Sequence, residues 1–296
     1  MKLTELFSKK IPTLSFEVFP PKTQDNFESV KDATERIASL NPDFMSVTYG
    51  AGGGTSRYTV EIASNILKNY NVTPIAHLTC LSSTKDKVKS QLEALKDNGI
   101  KNILALRGDI PNGEDLTKDR DYRYAYQLIE DIKAGGDFCI GGACYPEKHV
   151  ESKNLAEDIK HLKEKVDAGC DFLTTQMFFD NNVLYSYLYK IREAGITVPV
   201  VAGIMPVTNI KQVERICSIS GTSYLPKRFA SLVDKFGDNP SAMKQAGIIY
   251  ATDQIIDILA NGVNSVHVYT MNKPEVAEQI QKNISEIIPV RVKKND

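Results

Sequence analysis

Short apolar segments alternate with longer amphipathic segments along the whole chain. The short segments are rich in β-branched and aromatic residues and run mostly without polar interruption, which is typical of parallel strands covered on both faces. They predict eight strands, over Thr13–Phe19, Phe44–Tyr49, Pro74–Thr79, Asn102–Leu106, Phe138–Ala143, Phe172–Met177, Val198–Gly203 and Ser265–Tyr269.

The longer segments between these strands carry apolar residues at helical spacing. Lys85–Asn98 places three of them on one stripe, and Gly99 follows as a stop signal. The same pattern, closed by a glycine, recurs over Asn154–Ala168 and Asn182–Ala194. An additional helix is expected around Pro240–Ala260, between strands seven and eight. This order predicts an α/β protein with a single (β/α)8 TIM barrel and an extra helical segment.

A doubly wound open sheet is the rival architecture. It would be expected to carry a glycine-rich fingerprint after its first strand, whereas that turn reads Phe19-Pro20-Pro21-Lys22 here. The sequence contains no Pro-, Ser- or Gly-rich linker, internal repeat or low-complexity stretch. One catalytic barrel domain over residues 1–296, without a separate regulatory domain, is therefore expected.

The amino-acid composition argues against nucleic-acid-binding and membrane-spanning proteins. The 296 residues are 42% hydrophobic and 25% charged, and the formal net charge is −1. This balance gives no electrostatic footprint for nucleic acid, and no apolar run approaches the roughly 18 residues of a membrane span. The five cysteines form no CxxC pair and indicate reduced thiols, and the first ten residues lack a secretory signal. We expect a cytoplasmic protein without a metal site.

Polar residues concentrate at one end of the predicted strands. In a barrel of this kind, chemistry takes place at the C-terminal ends of the strands. The polar positions at or near these ends are Glu17, Thr48, Tyr49, His77, Arg107, Asp109, Tyr145, His149, Gln176 and Tyr269. Their shared location predicts an active site, whatever the reaction.

Glu17 is the sharpest catalytic candidate. It lies between Phe16 and Val18 in an otherwise apolar strand, where a carboxylate would lose hydration and favour its neutral form. Such a group can deliver a proton as a general acid near pH 7. The alternative is a structural glutamate paired with a lysine or arginine across the barrel.

Other candidates also have structural alternatives. Asp109, in Arg107-Gly108-Asp109, suits a polar ligand but would also fit a turn with a local ion pair. A lone histidine such as His77 is more often a hydrogen-bonded core residue than a catalyst. Gln176 is expected to be buried and to offer its amide to the edge of a heterocycle. The aromatic pair Phe178 and Phe179 is more typical of a core than of a ligand platform.

Two loops could contact a ligand. Gly50–Ser56 could bind a phosphate through backbone N–H groups, although it lacks the end of a P-loop and could equally be a flexible loop. Tyr145–His149 offers an aromatic face and several donors, and a capped loop is its alternative.

Eight segments in the right order carry a specific resemblance. They are Ser15–Thr23, Ser46–Ala51, His77–Cys80, Ala105–Asp109, Tyr145–His149, Thr175–Asp180, Gly203–Val207 and His267–Asn272. Over nearly the whole chain, the sequence resembles the bacterial, FAD-dependent type of the methylenetetrahydrofolate reductase family. The resemblance implies reduction of 5,10-methylenetetrahydrofolate to 5-methyltetrahydrofolate, with FAD carrying hydride from NADH or NADPH in two half-reactions. It also implies a role in one-carbon and methionine metabolism and, since relatives often assemble, a homo-oligomer.

The resemblance further implies roles for individual residues. Glu17 matches the family's general acid, and Asp109 matches a catalytic residue near both flavin and pterin. The implied substrate contacts are Asp109, Gln176, Gln212 and Lys273. The implied FAD contacts are Thr48, Tyr49, Ala51, His77, Arg107, Gly108, Asp109, Tyr124, Ala125, Tyr145, His149, Asp158 and Lys165.

Three positions depart from the family pattern. His161 stands where asparagine is common and Glu164 where arginine is common, both beside the expected FAD phosphates. Lys273 replaces an arginine, so a point charge takes the place of a bidentate fork. Two other functions stay open from the residues alone: a flavin-free barrel lyase or aldolase, and a non-catalytic folate- or flavin-binding protein.

Overall fold

The structure is a computed structural model that describes residues 1–21, 26–49, 56–109, 120–219 and 225–291, without the side chains of Ser56 and residues 217–219. Eight parallel strands close into a barrel in the order in which they occur along the chain. The strands are β1 (Thr13–Val18), β2 (Phe44–Val47), β3 (Thr73–Thr79), β4 (Asn102–Leu106), β5 (Cys139–Cys144), β6 (Phe172–Thr175), β7 (Val200–Ile204) and β8 (Ser265–Tyr269).

Helices accompany the strands, and most of them lie between consecutive strands on the outside of the barrel. They are α1 (Leu3–Phe7), α2 (Phe27–Ala38), α3 (Ser56–Tyr70), α4 (Lys85–Asp97), α5 (Ala125–Gly135), α6 (Leu155–Asp167), α7 (Asn181–Glu193), α8 (Ile210–Ile219), α9 (Lys227–Phe236), α10 (Pro240–Ala260) and α11 (Pro274–Asn283). In the ranges described, no helix combines the length and the apolarity needed to cross a membrane.

The closed barrel confirms the predicted fold class and excludes the doubly wound sheet. All eight predicted strands are present, although several begin or end a residue or two away from the predicted positions. The predicted extra helix is α10, and α8 and α9 precede it between β7 and β8.

Side chains of β1 alternate between two environments. Leu14, Phe16 and Val18 belong to the main hydrophobic core, together with residues of the surrounding helices. Ser15 and Glu17 therefore face the barrel interior, because successive side chains of a strand point to opposite faces. This alternation turns a carboxyl group into the barrel near its C-terminal mouth.

The short helix α1, which the sequence analysis did not predict, packs against the opposite end of the barrel. Leu3 and Leu6 form a cluster with interior residues such as Phe44 and Phe172. Asn102, which is 1% exposed, fixes this helix by accepting a hydrogen bond from the Leu3 N–H at 2.9 Å. The helix thus covers the N-terminal end of the barrel, whereas the C-terminal mouth is not covered by it.

Helices α9 and α10 pack beside the ends of β6 and β7. Phe229 of α9 stacks on Phe179 with ring centroids 4.6 Å apart, and both lie in a cluster with Val207 and Tyr250. Gly247 of α10 approaches Val207 so closely that any Cβ there would overlap the Val207 carbonyl oxygen. The expected core position of the phenylalanine pair is confirmed, since Phe179 is 2% exposed and its neighbour is fully buried.

Candidate active site

Buried polar side chains surround Glu17 inside the barrel. We call Glu17, Ser46, His77 and His267 the acid cluster. Glu17 is 7% exposed, and the Ser46 hydroxyl donates a hydrogen bond to its Oε2 at 3.3 Å. Nε2 of His77 lies 3.6 Å from the same oxygen, and Nε2 of His267 lies 3.8 Å from it. Among the described residues no lysine or arginine pairs with Glu17, so the structural ion pair considered for it is not found there.

His77 is neutral at pH 7. Burial lowers its pKa to about 4, because a charged imidazolium would lose its hydration; the Glu17 charge opposes this shift, and His267 adds to it. The 3.6 Å contact with Glu17 is too long for a hydrogen bond, and Nε2 has no hydrogen-bond partner among the described residues. His77 therefore brings an unused ring nitrogen to the interior surface beside Glu17.

Tyr269 lies next to Glu17 on β8. Its hydroxyl donates to the carbonyl oxygen of Thr175 at 2.6 Å, and the Thr175 hydroxyl accepts the N–H of Gly203 at 2.9 Å. Burial, reinforced by the Glu17 charge, raises the pKa of Tyr269, so the phenol stays protonated. Gly203 permits this packing, since a Cβ there would lie 2.5 Å from the Tyr269 hydroxyl.

Two cationic side chains, an aromatic ring and a histidine lie together beyond β4 and β5. We call Arg107, Tyr145, His149 and Lys165 the cation cluster. Both terminal nitrogens of Arg107 donate to the Glu151 carboxylate at 2.6 Å, and this bidentate pair is the main reason why the pKa of Arg107 is raised. Arg107 is thereby held in one orientation at the rim.

Lys165 and His149 both contact the ring of Tyr145. Lys165 Nζ lies 5.8 Å from the ring centroid and donates to the Ala143 carbonyl at 2.5 Å. The His149 ring meets the Tyr145 ring edge-on, with centroids 4.8 Å apart. Burial lowers the pKa of both Lys165 and His149.

Other implied FAD contacts flank the cation cluster. Asp158, two turns before Lys165 on α6, is buried and accepts a hydrogen bond from Ser152 at 3.0 Å. Tyr124 precedes Ala125, the first residue of α5, and is 54% exposed. Tyr124 is therefore open to a ligand at the start of α5, whereas Asp158 is buried beneath the start of α6.

The two departures at the expected phosphate site contact each other. His161 Nδ1 lies 3.3 Å from the Glu164 carboxylate on α6. The ring of His161 also lies nearly parallel to that of Tyr124, with centroids 6.4 Å apart. These positions therefore offer a carboxylate and a ring face where the resemblance led us to expect an amide and a guanidinium.

The remaining flavin-site predictions on the loop after β2 are only partly described. Thr48 is half-buried, and its carbonyl oxygen accepts a hydrogen bond from Thr59 at 2.9 Å. Tyr49 is 9% exposed. Ala51, and with it most of the Gly50–Ser56 segment considered as a phosphate loop, lies outside the described residues.

Gln176 corrects an expectation, because its side chain is exposed and not buried. Strand β6 ends at Thr175, and the Gln176 N–H donates to the Cys144 carbonyl at 2.7 Å. The backbone thus stays with the barrel, while the side-chain Oε1 accepts a hydrogen bond from the Met177 N–H at 3.1 Å and the exposed amide can still meet solvent or a ligand.

The turn after β4 presents a second exposed polar group. Asp109 is exposed just beyond the end of the strand. Gly108 before it has a φ of +86°, which favours glycine, and its backbone lies close to the side chain of Thr79. The glycine therefore lets the chain turn at the mouth and leaves the Asp109 carboxylate open to a ligand.

A third group connects the loops after β7 and β8. We call Thr208, Gln212 and Lys273 the β7–β8 corner. Lys273 Nζ donates to the Thr208 hydroxyl at 2.7 Å, and burial lowers the pKa of Lys273. Gln212 Oε1 accepts hydrogen bonds from the Thr208 N–H at 2.8 Å and from its hydroxyl at 3.0 Å. The two implied substrate contacts thus share one partner.

Sequence reasoning missed Ser15, Ser46, His267 and Glu151. A period-two signal could have found Ser15 and His267, because β1 and β8 both alternate polar with apolar residues. Ser46 is the polar residue of the otherwise apolar strand β2. Glu151 gives no such signal, because it lies in a loop of mixed polarity.

Comparisons with known proteins relate nearly the whole chain to one family. A family model described as "Methylenetetrahydrofolate reductase" matches residues 2–285. An Arabidopsis thaliana protein named "Methylenetetrahydrofolate reductase (NADH) 1" is 38% identical over 91% of this chain, but the match covers 48% of that protein. The chain therefore spans about half the length of this plant relative. The "5,10-methylenetetrahydrofolate reductase" of Escherichia coli is 35% identical over 90% of this chain and 88% of its own length.

A solved structure supports the fold. It is an uncharacterized Clostridium thermocellum protein that, by its description, binds two copies of 5-methyl-5,6,7,8-tetrahydrofolic acid. The two structures align with a TM-score of 0.69 over 97% of this chain and 100% of the other, at 15% sequence identity. At that identity the likeness shows the fold alone, whereas the family model and the sequence relatives cover nearly the whole chain. The chain belongs to the methylenetetrahydrofolate reductase family.

Proposed function

We propose that this protein reduces 5,10-methylenetetrahydrofolate to 5-methyltetrahydrofolate, with FAD as its cofactor and NADH or NADPH as the reductant. The observation that carries the proposal is the buried carboxyl group of Glu17, which faces the interior near the mouth without a lysine or arginine partner among the described residues. Reduction of this folate needs one proton as well as one hydride, and Glu17 is placed to supply the proton.

The residues present suit FAD. Lys165 and Arg107 are the cations that a diphosphate could bind, with Arg107 exchanging its Glu151 partner for the phosphate, and Tyr124 presents an exposed aromatic face. The buried His77 Nε2, which lacks a hydrogen-bond partner within the described ranges, is available to a ligand atom. The chemistry that bound FAD supplies is hydride transfer, first from the nicotinamide and then to the methylene carbon of the folate.

The protein's own groups would perform the proton chemistry and the binding. Glu17 would protonate a folate nitrogen and open the five-membered ring to an iminium ion, which then accepts hydride at the methylene carbon. Asp109 and Gln176, both exposed, would hydrogen-bond the pterin. Gln212 and Lys273 of the β7–β8 corner would contact the rest of the substrate, with Lys273 facing a carboxylate.

The first experiment tests the cofactor and the reaction class together. An absorption spectrum of the purified protein should show bound flavin, and anaerobic titration with NADH should bleach it. A colourless protein that cannot be reconstituted with FAD would favour the flavin-free lyase. A yellow protein that NADH and NADPH both fail to reduce would favour a non-catalytic binding protein.

The second experiment tests the acid. In Glu17→Gln, the reduction of FAD by NADH should stay close to the wild-type rate, because that half-reaction takes no proton from Glu17. Oxidation of the reduced flavin by the folate should be lost, since a general acid contributes roughly 10²- to 10⁴-fold. An unchanged folate half-reaction in stopped-flow measurements would refute the assignment.

The preferred reductant, the assembly and the location are further parts of the proposal. The Arabidopsis relative carries "NADH" in its name, which favours NADH here and can be tested by comparing kcat/KM for the two nucleotides. A homo-oligomer is expected and is testable by analytical ultracentrifugation. We also propose a single catalytic domain acting in the cytoplasm.

A further inference from the structure

Four polar contacts link Glu17 to the backbone of β8. Ser46 Oγ lies 3.3 Å from Glu17 Oε2 and 3.0 Å from His267 Nε2. On the other side of the imidazole, Ser15 Oγ lies 2.7 Å from His267 Nδ1 and 3.0 Å from the Val266 carbonyl oxygen. The side chains that make these contacts are buried, with exposures from 0% for Ser15 to 7% for Glu17.

These four contacts need four protons. Each serine hydroxyl supplies one proton, and a neutral imidazole supplies one more, while the Val266 carbonyl supplies none. Three protons cannot serve four contacts. If Glu17 were ionised while His267 stayed neutral, two lone pairs would face each other at one contact in a buried site, which is costly. The missing proton must be on Glu17 or must be a second proton on His267.

The groups around the network do not supply the missing proton. From β3, His77 faces Glu17, but the 3.6 Å separation is beyond hydrogen-bond range and its ring is neutral, since burial lowers its pKa to about 4. From β8, the Tyr269 hydroxyl gives its proton to a backbone carbonyl at 2.6 Å. From β2, Ser46 is already counted in the network. No other titratable side chain in the described ranges forms a hydrogen bond or an ion pair with Glu17 or His267.

We propose that Glu17 and His267 jointly hold one proton in the resting protein, with Ser46 as the bridge and Ser15 as the anchor. His267 and the two serines are then positioning residues that keep the acid loaded before the folate arrives. When the proton passes from the Glu17 carboxyl to a folate nitrogen, the network returns to three protons, and the next proton from solvent restores it. The shared proton itself does not depend on the proposed function. Only its transfer to the folate rests on the proposed acid role of Glu17.

Two variants provide a matched test. In Ser46→Ala two contacts and one proton disappear. The two remaining contacts of Ser15 are then served by its own hydroxyl and by His267 Nδ1–H, so the need for an extra proton is removed. Thr13→Val is the control, because Thr13 lies on the same interior face of β1 and donates to Ser265 at 2.9 Å, outside the four contacts.

The readouts are infrared spectroscopy of protonated carboxyl groups and ¹⁵N NMR of the histidine rings, on the purified protein at pH 7. The sequence has four histidines, which makes the ring signals few enough to resolve. Glu17→Gln assigns the carboxyl band, and His267→Gln assigns the ring. Wild type and Thr13→Val should show either a protonated Glu17 or an imidazolium at position 267. In Ser46→Ala the ring of His267 should be neutral, because Nε2 no longer has a hydrogen-bond partner that needs a proton.

Two outcomes would overturn the inference: an ionised Glu17 beside a neutral His267 in the wild type, or an imidazolium at position 267 in a folded Ser46→Ala. Circular dichroism establishes that the variant is folded. Because both readouts are independent of turnover, they also separate this inference from the proposed activity. If the network loads the acid, Ser46→Ala should in addition slow the folate half-reaction at pH 7 roughly tenfold or more, whereas Thr13→Val should not.

Discussion

Burial of the neutral His77 should make the protein sensitive to mild acid. The unfolded chain carries an ordinary histidine with a pKa of 6.5, whereas in the folded protein the pKa of His77 is about 4. As the pH falls through 6.5, His77 binds a proton in the unfolded state but stays neutral in the folded state. The contribution of His77 to stability is therefore fully present above pH 6.5 and is lost between pH 6.5 and about 4.

The size of this effect follows from the difference in pKa. A difference of about 2.5 in pKa, at about 1.4 kcal/mol for each pKa unit, gives a loss of about 3 kcal/mol when the pH reaches the folded-state value. Urea unfolding of wild type and His77→Gln between about pH 7 and pH 4.5, at equal flavin content, measures it. The wild type should lose about 2 to 3 kcal/mol more than the variant over this range.

His161→Gln is the control for this experiment. The His161 side chain is 51% exposed, so its replacement should leave the wild-type dependence on pH in place. The comparison uses the change with pH and not the absolute stability, because the substitution at His77 also alters packing. If wild type and His77→Gln lost the same stability on acidification, the neutral, desolvated state of His77 would be refuted.

Three further substitutions test other parts of the structure. Gly203→Ala should lower the free energy of unfolding by about 1–3 kcal/mol, because its Cβ would overlap the Thr175 carbonyl; an unchanged urea midpoint would contradict this close packing. Asn102→Leu should cost about 1–3 kcal/mol and speed proteolysis of the N-terminus, because the Leu3 N–H loses its acceptor; equal cleavage rates would exclude the anchoring role. Lys273→Arg should lower the KM for folate roughly fivefold, equivalent to about 1 kcal/mol, without changing kcat; a rise in KM would place the carboxylate elsewhere.

The barrel could be predicted from the sequence because most of its strands are continuous apolar segments and several of its helices end at glycines. The helix α1 escaped prediction for a physical reason: five residues give too little periodicity, and the helix depends on distant contacts. Its N–H partner, Asn102, lies 99 residues away, and the cluster that buries Leu3 draws on residues from several strands. Tertiary burial, and not local propensity, makes this segment helical.

In the candidate active site, too, contacts between residues distant in sequence could not be predicted. The apolar neighbours of Glu17 predicted its burial correctly, but they could not identify its partners, since Ser46 is 29 residues away and His267 belongs to the last strand of the barrel. The burial of Gln176 was predicted wrongly, because β6 ends at the residue before it and leaves its side chain exposed. The resemblance to a family pointed to the implied ligand contacts. The network of Ser15, Ser46 and His267 could not be predicted, because identifying it requires knowing the register in which the strands pair.

Closure of the barrel and placement of the acid depend on the same register. On one side of β1, Ser15 pairs with His267 of β8; on the other side, Glu17 pairs with Ser46 of β2. The polar network follows these lateral pairs and crosses the interior only between Ser46 and His267, at 3.0 Å. A slip of β1 by one residue would turn Glu17 toward the helices and bring Phe16 inside. The hydrophobic pattern that forbids this slip therefore also holds the carboxyl group at the one place where the hydroxyls and the imidazole can reach it.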